Sequence, residues 1–554
     1  IVKRAWKKVY DGNVKDMAGT VKTFFTKHCS RVYMAQEYGV KEVDEEMVYQ
    51  AFRRTAKSAG GMDGWLPQEL ALFSRQVCNT VANLFKMIED GAEWPKSTKH
   101  ARVMYLEKEG ATLWEVMSFR PLTISAPLYR RYASMRLGCM DGWVRCWMLP
   151  EMHAGVPGMG AVDAWYKVLT DIEQLNMEEQ SYCGGAADIV KFFDQIIREL
   201  VYMIARSAGM PTKVLEAYIR YVEGLNVYNC LAGGLGTPYT RRCGILQGCP
   251  FSMMLVALLM RPWIIMMRAA NVFATLLADD VLIISVGSRM VGRFARALGR
   301  THEYLIDMGS RVAPSKSYNF SNSLQARVWL NNTLWPHINT QIDVVKEFRY
   351  LGAHLCTGAS RHSKTLRVRW TNALTQLRRL RHCPAEALAK AKATTANIYA
   401  AAFYGLEAAD ITEHEVAQMS AAVIDVFRSK NNMHDADSFY ATYFDDGRDI
   451  HPQSQILCRR VLQLRRTYCK DLAALHKIKG ALRKYVQASE VQPPTWYHDV
   501  EAKGTEPPDE FPLPQLHPSK RQVDADWKQG IKEQGPVGLL ILAALRAGLK
   551  IDSE

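Results

Sequence analysis

The chain has 554 residues, 48% of them hydrophobic and 23% charged, which suits a globular protein of several structural units with an ample core. Lys and Arg outnumber Asp and Glu by 70 to 56, and the net charge of +14 favours a polyanionic partner, nucleic acid before an anionic membrane surface. The 12 cysteines include no CxxC pair, which argues against a zinc ribbon or knuckle and fits free thiols in a reduced intracellular setting.

In chain order, residues 1 to 110 read as mostly helical, with basic stretches at 3–8 and 53–57 and a glycine-rich turn, AGGMDGW, at 59–65. The chain opens on Ile1 with no signal peptide, as expected of a piece of a longer or processed polypeptide. A strand ARVMYL, a charged turn EKEG and the run SFRPLTIS follow. From 180 to 355 short β-like runs (GGAADIV, CGILQG, FATLL, VLIISV, EFRYLGAHL) alternate with helical patterns, which predicts an α+β domain with a largely antiparallel sheet. The richest apolar stretch, MMLVALLMRPWIIMM, predicts a buried helix that ends at Pro262 rather than a membrane span. Between 360 and 490 the pattern is helical, with Leu366, Trp370, Leu374 and Leu377 at helical spacing and arginines on other faces. Residues 491 to 535 are rich in proline and read as an extended linker or tail, and a short apolar helix closes the chain.

The chemistry starts from ATLLADDVLIIS, where Asp279 and Asp280 sit between two apolar runs. The pattern predicts a β-hairpin with the carboxylates at its tip. Strand alternation predicts one direct metal ligand and one supporting residue. Alone, such a pair is an ordinary turn. A second site, ADIVKFFDQI, ends a β-like run at Asp188, which alone would be a helix cap. Together, aspartates from neighbouring strands could hold two hard Mg²⁺ ions, and bound metal would relieve their repulsion. Between them RRCGILQGCPFS supplies Gly244 and Gly248 for close backbone approach, Gln247 for a hydrogen bond to a base or sugar, and Pro250 to begin a helix.

ADIVKFFDQI, GILQGCPFS, LADDVLII, APSKS and FRYLGAHL stand in the order of the palm motifs of reverse transcriptases. The chain resembles the non-LTR (LINE-like) retrotransposon enzymes, with group II intron relatives next. AGGMDGW, WPKSTKHARVMYLEKEG, SFRPLTISAPLYRRYASMRL and HAGVPGMGAVDAW resemble their finger motifs and the entry to the palm. The resemblance implies a right-hand polymerase fold: a basic helical N-terminal extension (1–54), fingers (55–180), a palm with an antiparallel sheet (181–358), a helical thumb and connection (359–490) and a proline-rich tail with a short helix (491–554).

It also implies roles. Asp188 and Asp279 would be the main Mg²⁺ ligands and Asp280 would support them, with Mn²⁺ as a substitute metal. Phe193 stands at the aromatic steric gate, and Gln247 and Gly248 would contact the incoming nucleotide. Arg120 and Lys108 match the finger cations that grip the triphosphate, and Lys316 matches a lysine that protonates the departing pyrophosphate. FRYLGAHL would grip the primer end and the arginine-rich helix from 366 to 381 would track the template–primer backbone. Three positions depart from the family pattern: Leu277 replaces an aromatic, Phe192 a small residue and Ala313 an asparagine. No apurinic-type endonuclease motif, RNase H pattern or zinc knuckle is found, so the chain is expected to be the polymerase core of a larger element protein.

The expected partners are an RNA template, a DNA primer or target DNA, and dNTPs, with no membrane. The expected setting is intracellular, and nuclear for a eukaryotic retrotransposon protein. The competing readings are an inactive RNA-binding scaffold on the same fold, disfavoured by the retained aspartates; an RNA-templated RNA polymerase, disfavoured by Phe193; and a group II intron maturase.

Overall fold

The computed structural model describes residues 2–54, 58–108, 115–231, 233–357, 363–427, 439–440, 450–470, 472–490, 535–547 and 549. The proline-rich linker expected at 491–534, the end of the EKEG turn and part of the basic stretch at 53–57 lie outside the described residues. In the described residues eleven strands form three sheets. The strands are β1 (His100–Glu107), β2 (Phe119–Ile124), β3 (Tyr182–Ala187), β4 (Asn226–Leu231), β5 (Gly234–Leu235), β6 (Phe273–Leu277), β7 (Asp280–Val286), β8 (Tyr318–Ser321), β9 (Asp343–Val344), β10 (Glu347–Tyr350) and β11 (Ala353–Cys356).

The central sheet has the order β6-β7-β3-β8-β9, antiparallel except for the last pair. Alternation along β7 divides its side chains between two cores. Val281 and Ile283 join Phe294 and Leu298 of the helix Met290–Asp307, whereas Leu282 and Ile284 join Trp165, Leu169 and Ile172 of the helix Ala161–Met177. β3 is built from small residues because its neighbours press close. A Cβ on Gly184 would lie 2.5 Å from the Ile283 carbonyl oxygen, and one on Gly185 2.5 Å from Asn319 Oδ1. A second sheet, β2-β1-β4-β5, lies in front, with β1 parallel to β4. β10 and β11 form a separate hairpin, turned by Leu351 and Gly352 at φ of 49° and 88°.

The apolar helix Pro250–Ala269 begins with proline at its first position, as expected, but runs on through Pro262. Pro262 removes one N–H from the helical ladder. Burial of side chains on both sides of it, including Met260, Trp263 and Ile264, outweighs that loss. The helix is long and apolar enough to cross a membrane, yet most of it is buried within the fold. CGILQG, expected as strand-like, forms no strand: Gly244 and Gly248 take φ of 86° and 117°, and the backbone bonds to loops instead of a ladder.

The N-terminal helices Val2–Tyr10, Met17–His28 and Glu45–Arg53 bury Trp6, Tyr10, Phe24, Val48 and Phe52. Beyond the central sheet, the helix Lys364–Arg381 is capped by Ser363, whose Oγ accepts the Leu366 N–H at 3.0 Å. It buries Leu366, Trp370 and Leu377 against Tyr399, Phe403, Met419 and Val423.

Three acids on Ala161–Met177 anchor the C-terminal helices. Asp163 accepts a bidentate pair from Arg466 at 2.8 and 2.9 Å, and Asp171 pairs with Lys167 and Lys477. Glu173 caps the helix Pro536–Arg546, accepting the N–H groups of Gly535, Val537 and Gly538 at 3.2, 3.2 and 2.9 Å and the Tyr485 hydroxyl at 3.1 Å. Burial pushes its carboxyl up to about 7, against those hydrogen bonds.

The folded chain therefore keeps a proton on Glu173 that the unfolded chain releases between about 4.5 and about 7. This group's contribution to stability is full below the unfolded value and is lost as pH rises through the folded value. Glu173→Gln should flatten that part of a stability–pH profile measured by denaturant titration. Glu173→Ala leaves three buried N–H groups unpaired and should cost about 1–3 kcal/mol, read by the same denaturant titration.

Candidate active site

The centre of the site is the turn between β6 and β7. Leu277 pairs with Asp280, leaving Ala278 and Asp279 as a two-residue turn. Ala278 sits at φ 56°, a strained position for a residue with a Cβ but the sense of bend that a twisted hairpin accepts at the first turn residue. Such strain is characteristic of functional turns. β3 runs beside β7 with Ala187 opposite Val281, so the chain leaves the sheet at Asp188 next to Asp280. The Asp188 backbone is clamped on both sides. Its N–H donates to Ser317 Oγ at 3.2 Å, and its carbonyl accepts the Ala313 N–H at 2.8 Å. Ser317 in turn donates to the Ala313 carbonyl at 2.9 Å.

The three aspartates repel one another. Asp280 is exposed and Asp279 is half-buried, with protein packed around much of both carboxyls. Burial, then the fields of Asp279 and Asp188, push the Asp280 carboxyl up to about 7. Burial and the field of Asp188 push Asp279 up to about 6, against Arg120 and Lys108. Asp188 is also raised by burial, opposed by Lys316 and Lys108. Lys316 Nζ stands 3.9 Å from Asp188 Oδ2, a solvated contact of modest strength. Lys108 is held below the usual lysine range by burial and by the neighbouring charges of Lys316 and Arg120. The fold thus gathers Asp188, Asp279, Asp280, Lys108, Arg120 and Lys316, which the sequence separates by up to 208 positions, into one electrostatic unit.

Among the described residues no group of three Asp, Glu, His or Cys side chains stands close enough to hold a metal ion. The donor chemistry nevertheless fits a hard divalent cation. The cluster offers only carboxylate oxygens, its ionisation is opposed by mutual repulsion, and a bound cation would remove that opposition.

Beside the aspartates, the loop carrying Gln247 and Gly248 docks on the end of β2. The Thr123 N–H donates to the Gln247 carbonyl at 2.8 Å, and a Cβ on Gly248 would lie 2.7 Å from the Thr123 oxygen. Gly244 comes as close to Asp194, with 2.6 Å from a Cβ to its carbonyl oxygen. Phe193 is half-buried, edge-on to the buried Phe192 at 5.8 Å, and its carbonyl accepts the Ile245 N–H at 2.8 Å. Phe192, an unusual bulky residue by its sequence, is a core side chain. Leu277 is half-buried at the mouth of the hairpin.

Several contributors escape the sequence reading. Ser317 holds Asp188 in place, Lys191 reaches the Met117 carbonyl at 2.7 Å to tie the aspartate loop to the residues ahead of Arg120, and buried Asp194 accepts a hydrogen bond from Gln247 at 3.0 Å. The one available signal was Asp194 itself, an acid directly behind two phenylalanines.

Residues 106–355 match a family model described as reverse transcriptase (RNA-dependent DNA polymerase). A search among curated proteins finds no match to this chain. The matched span runs from the end of β1 to β11 and encloses the three aspartates, the Gln247 loop and the cations around them. Residues 106–355 form a reverse transcriptase domain, of the enzymatic class RNA-directed DNA polymerase, a nucleotidyltransferase; such domains in general take an RNA template, a primer and dNTPs.

Proposed function

We propose that this chain is the reverse transcriptase of a non-LTR retrotransposon-like element, with residues 55–180, including β1 and β2, as fingers, residues 181–358, including the central sheet, as the palm and residues 359–490 as thumb and connection. The observation that carries the reading is the convergence of Asp188, Asp279 and Asp280 at neighbouring strand ends, with Lys108, Arg120 and Lys316 within their field. An inactive scaffold would have no need to keep three mutually repelling carboxylates. The order of the palm motifs and Phe193 support the non-LTR assignment and the choice of DNA as product. An intracellular, nuclear site of action and a DNA target accompany it.

Asp188, Asp279 and Asp280 would hold Mg²⁺. When bound, the metal supplies Lewis-acid stabilisation to the attacking primer 3′-hydroxyl and the leaving pyrophosphate. The chain's own groups position the reactants. Arg120 presents a planar donor fork to the triphosphate, with Lys108 adding charge at the same end. Lys316, beside Asp188, is placed to give a proton to the leaving pyrophosphate. Gln247 and the bare backbone of Gly248 meet the sugar and base. The Phe193 ring excludes a ribose 2′-hydroxyl. The β10–β11 hairpin holds the primer end, and the exposed arginines of the helix Lys364–Arg381 track the backbone of the duplex.

Primer extension on poly(rA)/oligo(dT) with Mg²⁺ tests the whole. Wild type should incorporate dTMP and Asp279→Ala should lose about 10³-fold or more, the scale expected when charge stabilisation is removed; a wild type inert across metals and templates would sink the reading. Phe193→Ala should admit rNTPs about tenfold or more readily, and unchanged discrimination would leave Phe193 as a packing residue only. Asp279→Asn should raise the metal-free melting temperature by about 1 °C, because about 1 kcal/mol of repulsion disappears. Added Mg²⁺ should stabilise wild type and leave the variant largely unmoved, and equal Mg²⁺ shifts in both would argue against Asp279 as a ligand.

A further inference from the structure

The N-terminal helix Val2–Tyr10 is built into the back of the nucleotide site. Trp6 and Tyr10 are both buried, stacked at 5.8 Å, and reach Tyr105 of β1 and Tyr239 at 5.8 and 6.1 Å. The Arg241 guanidinium lies 4.0 Å over the Tyr10 ring and donates to Thr123 Oγ at 3.3 Å. Lys191 Nζ lies 4.6 Å over the Trp6 ring. The Tyr10 carbonyl accepts the N–H groups of Arg242 and Cys243, which lead into the Gln247 loop. Asp194, 2% exposed, sits within the fields of Arg241 and Lys191 and accepts from Gln247 Nε2 at 3.0 Å.

We propose that Asp194 is a positioning residue for nucleotide selection: it fixes the Gln247 amide, and the N-terminal helix, through Tyr10 and Arg241, fixes Asp194 and the start of the loop. This rests on the reading that Gln247 touches the incoming nucleotide. Gln247 is half-exposed and has several side-chain torsions to lose, so one oriented acceptor decides where its amide points. A carboxylate accepts only, and so commits Gln247 to turn its Nε2 inward and its oxygen outward to the ligand. Thr123 closes the arrangement, since its backbone N–H holds the Gln247 carbonyl while its hydroxyl holds Arg241.

The test is steady-state dNTP incorporation by the full chain. Asp194→Leu should raise the KM for dNTP about tenfold with kcat within about twofold, the scale of one lost charge-assisted hydrogen bond. Asp194→Asn, whose carbonyl can still accept, should hold KM within about threefold of wild type. Tyr10→Leu should raise KM about threefold, through loss of the Arg241 stacking. In a Gln247→Ala background Asp194→Leu should change KM by less than about twofold, because its effect passes through Gln247. If Gln247→Ala alone leaves KM unchanged, the nucleotide-contact reading fails and the relay with it. If Gln247→Ala raises KM but Asp194→Leu does not, or Asp194→Leu acts equally in both backgrounds, the relay alone is overturned. Should Asp194→Leu not fold, Gln247→Glu decides: it sets two carboxylates face to face and raises KM, and adding Asp194→Asn should lower KM again. No recovery overturns the proposal.

Discussion

Two strands held in one register, with Ala187 opposite Val281, force Asp188 and Asp280 to leave the sheet side by side, while the turn at Ala278 delivers Asp279 to the same place. The arrangement is unfavourable in itself. Burial first, and the neighbouring aspartates after it, raise the Asp279 and Asp280 carboxyls to about 6 and about 7. The surrounding structure is what holds the repelling groups at close range. Small residues along β3 let β7 and β8 press in, Ser317 and Ala313 fix the Asp188 backbone, and two cores grip the sheet from opposite faces.

The same need for rigid support explains why the parts around the cleft are tied to one another by buried polar contacts. The Gln247 loop is fastened to β2 through Thr123, the aspartate loop to the residues ahead of Arg120 through Lys191, and the N-terminal helix to both through Trp6, Tyr10 and Arg241. On the far side, Asp163, Asp171 and Glu173 clasp the C-terminal helices to the back of the sheet, and buried Arg460 joins the Leu539 carbonyl to those of Leu406 and Ala409. A site that works by positioning and fixed charge requires such support, because small displacements weaken both effects.

Much of this was legible in the sequence. The hairpin around Asp279, the strand ending at Asp188, the helix that begins at Pro250 and the amphipathic helix from Lys364 all follow from periodicity and turn chemistry acting over a few residues. The reading faltered where long-range packing overrides local preference. Pro262 does not end its helix, since buried side chains on both sides hold the helix through it, and CGILQG is no strand, since two glycines turn its backbone toward partners far away in sequence. Phe192 drew notice as a bulky departure and is a core residue, a distinction that only burial makes.

The sequence by itself determined which residues can carry charge, bend the chain or accept close approach: Asp188, Asp279, Asp280, Gln247 and Gly248 were named from residue type and local pattern, and Arg120, Lys108 and Lys316 from the resemblance to reverse transcriptases. Tertiary structure alone decided which of them share a field, that Lys316 lies against Asp188, that Gln247 faces Asp194, and that Trp6 and Tyr10 belong to the back wall of the site. The physical reason is range. Periodicity and turn propensity act between neighbours in the chain, whereas Coulomb interaction, burial and hydrogen bonding act between neighbours in space, and the fold makes neighbours of Tyr10, Asp194 and Arg241.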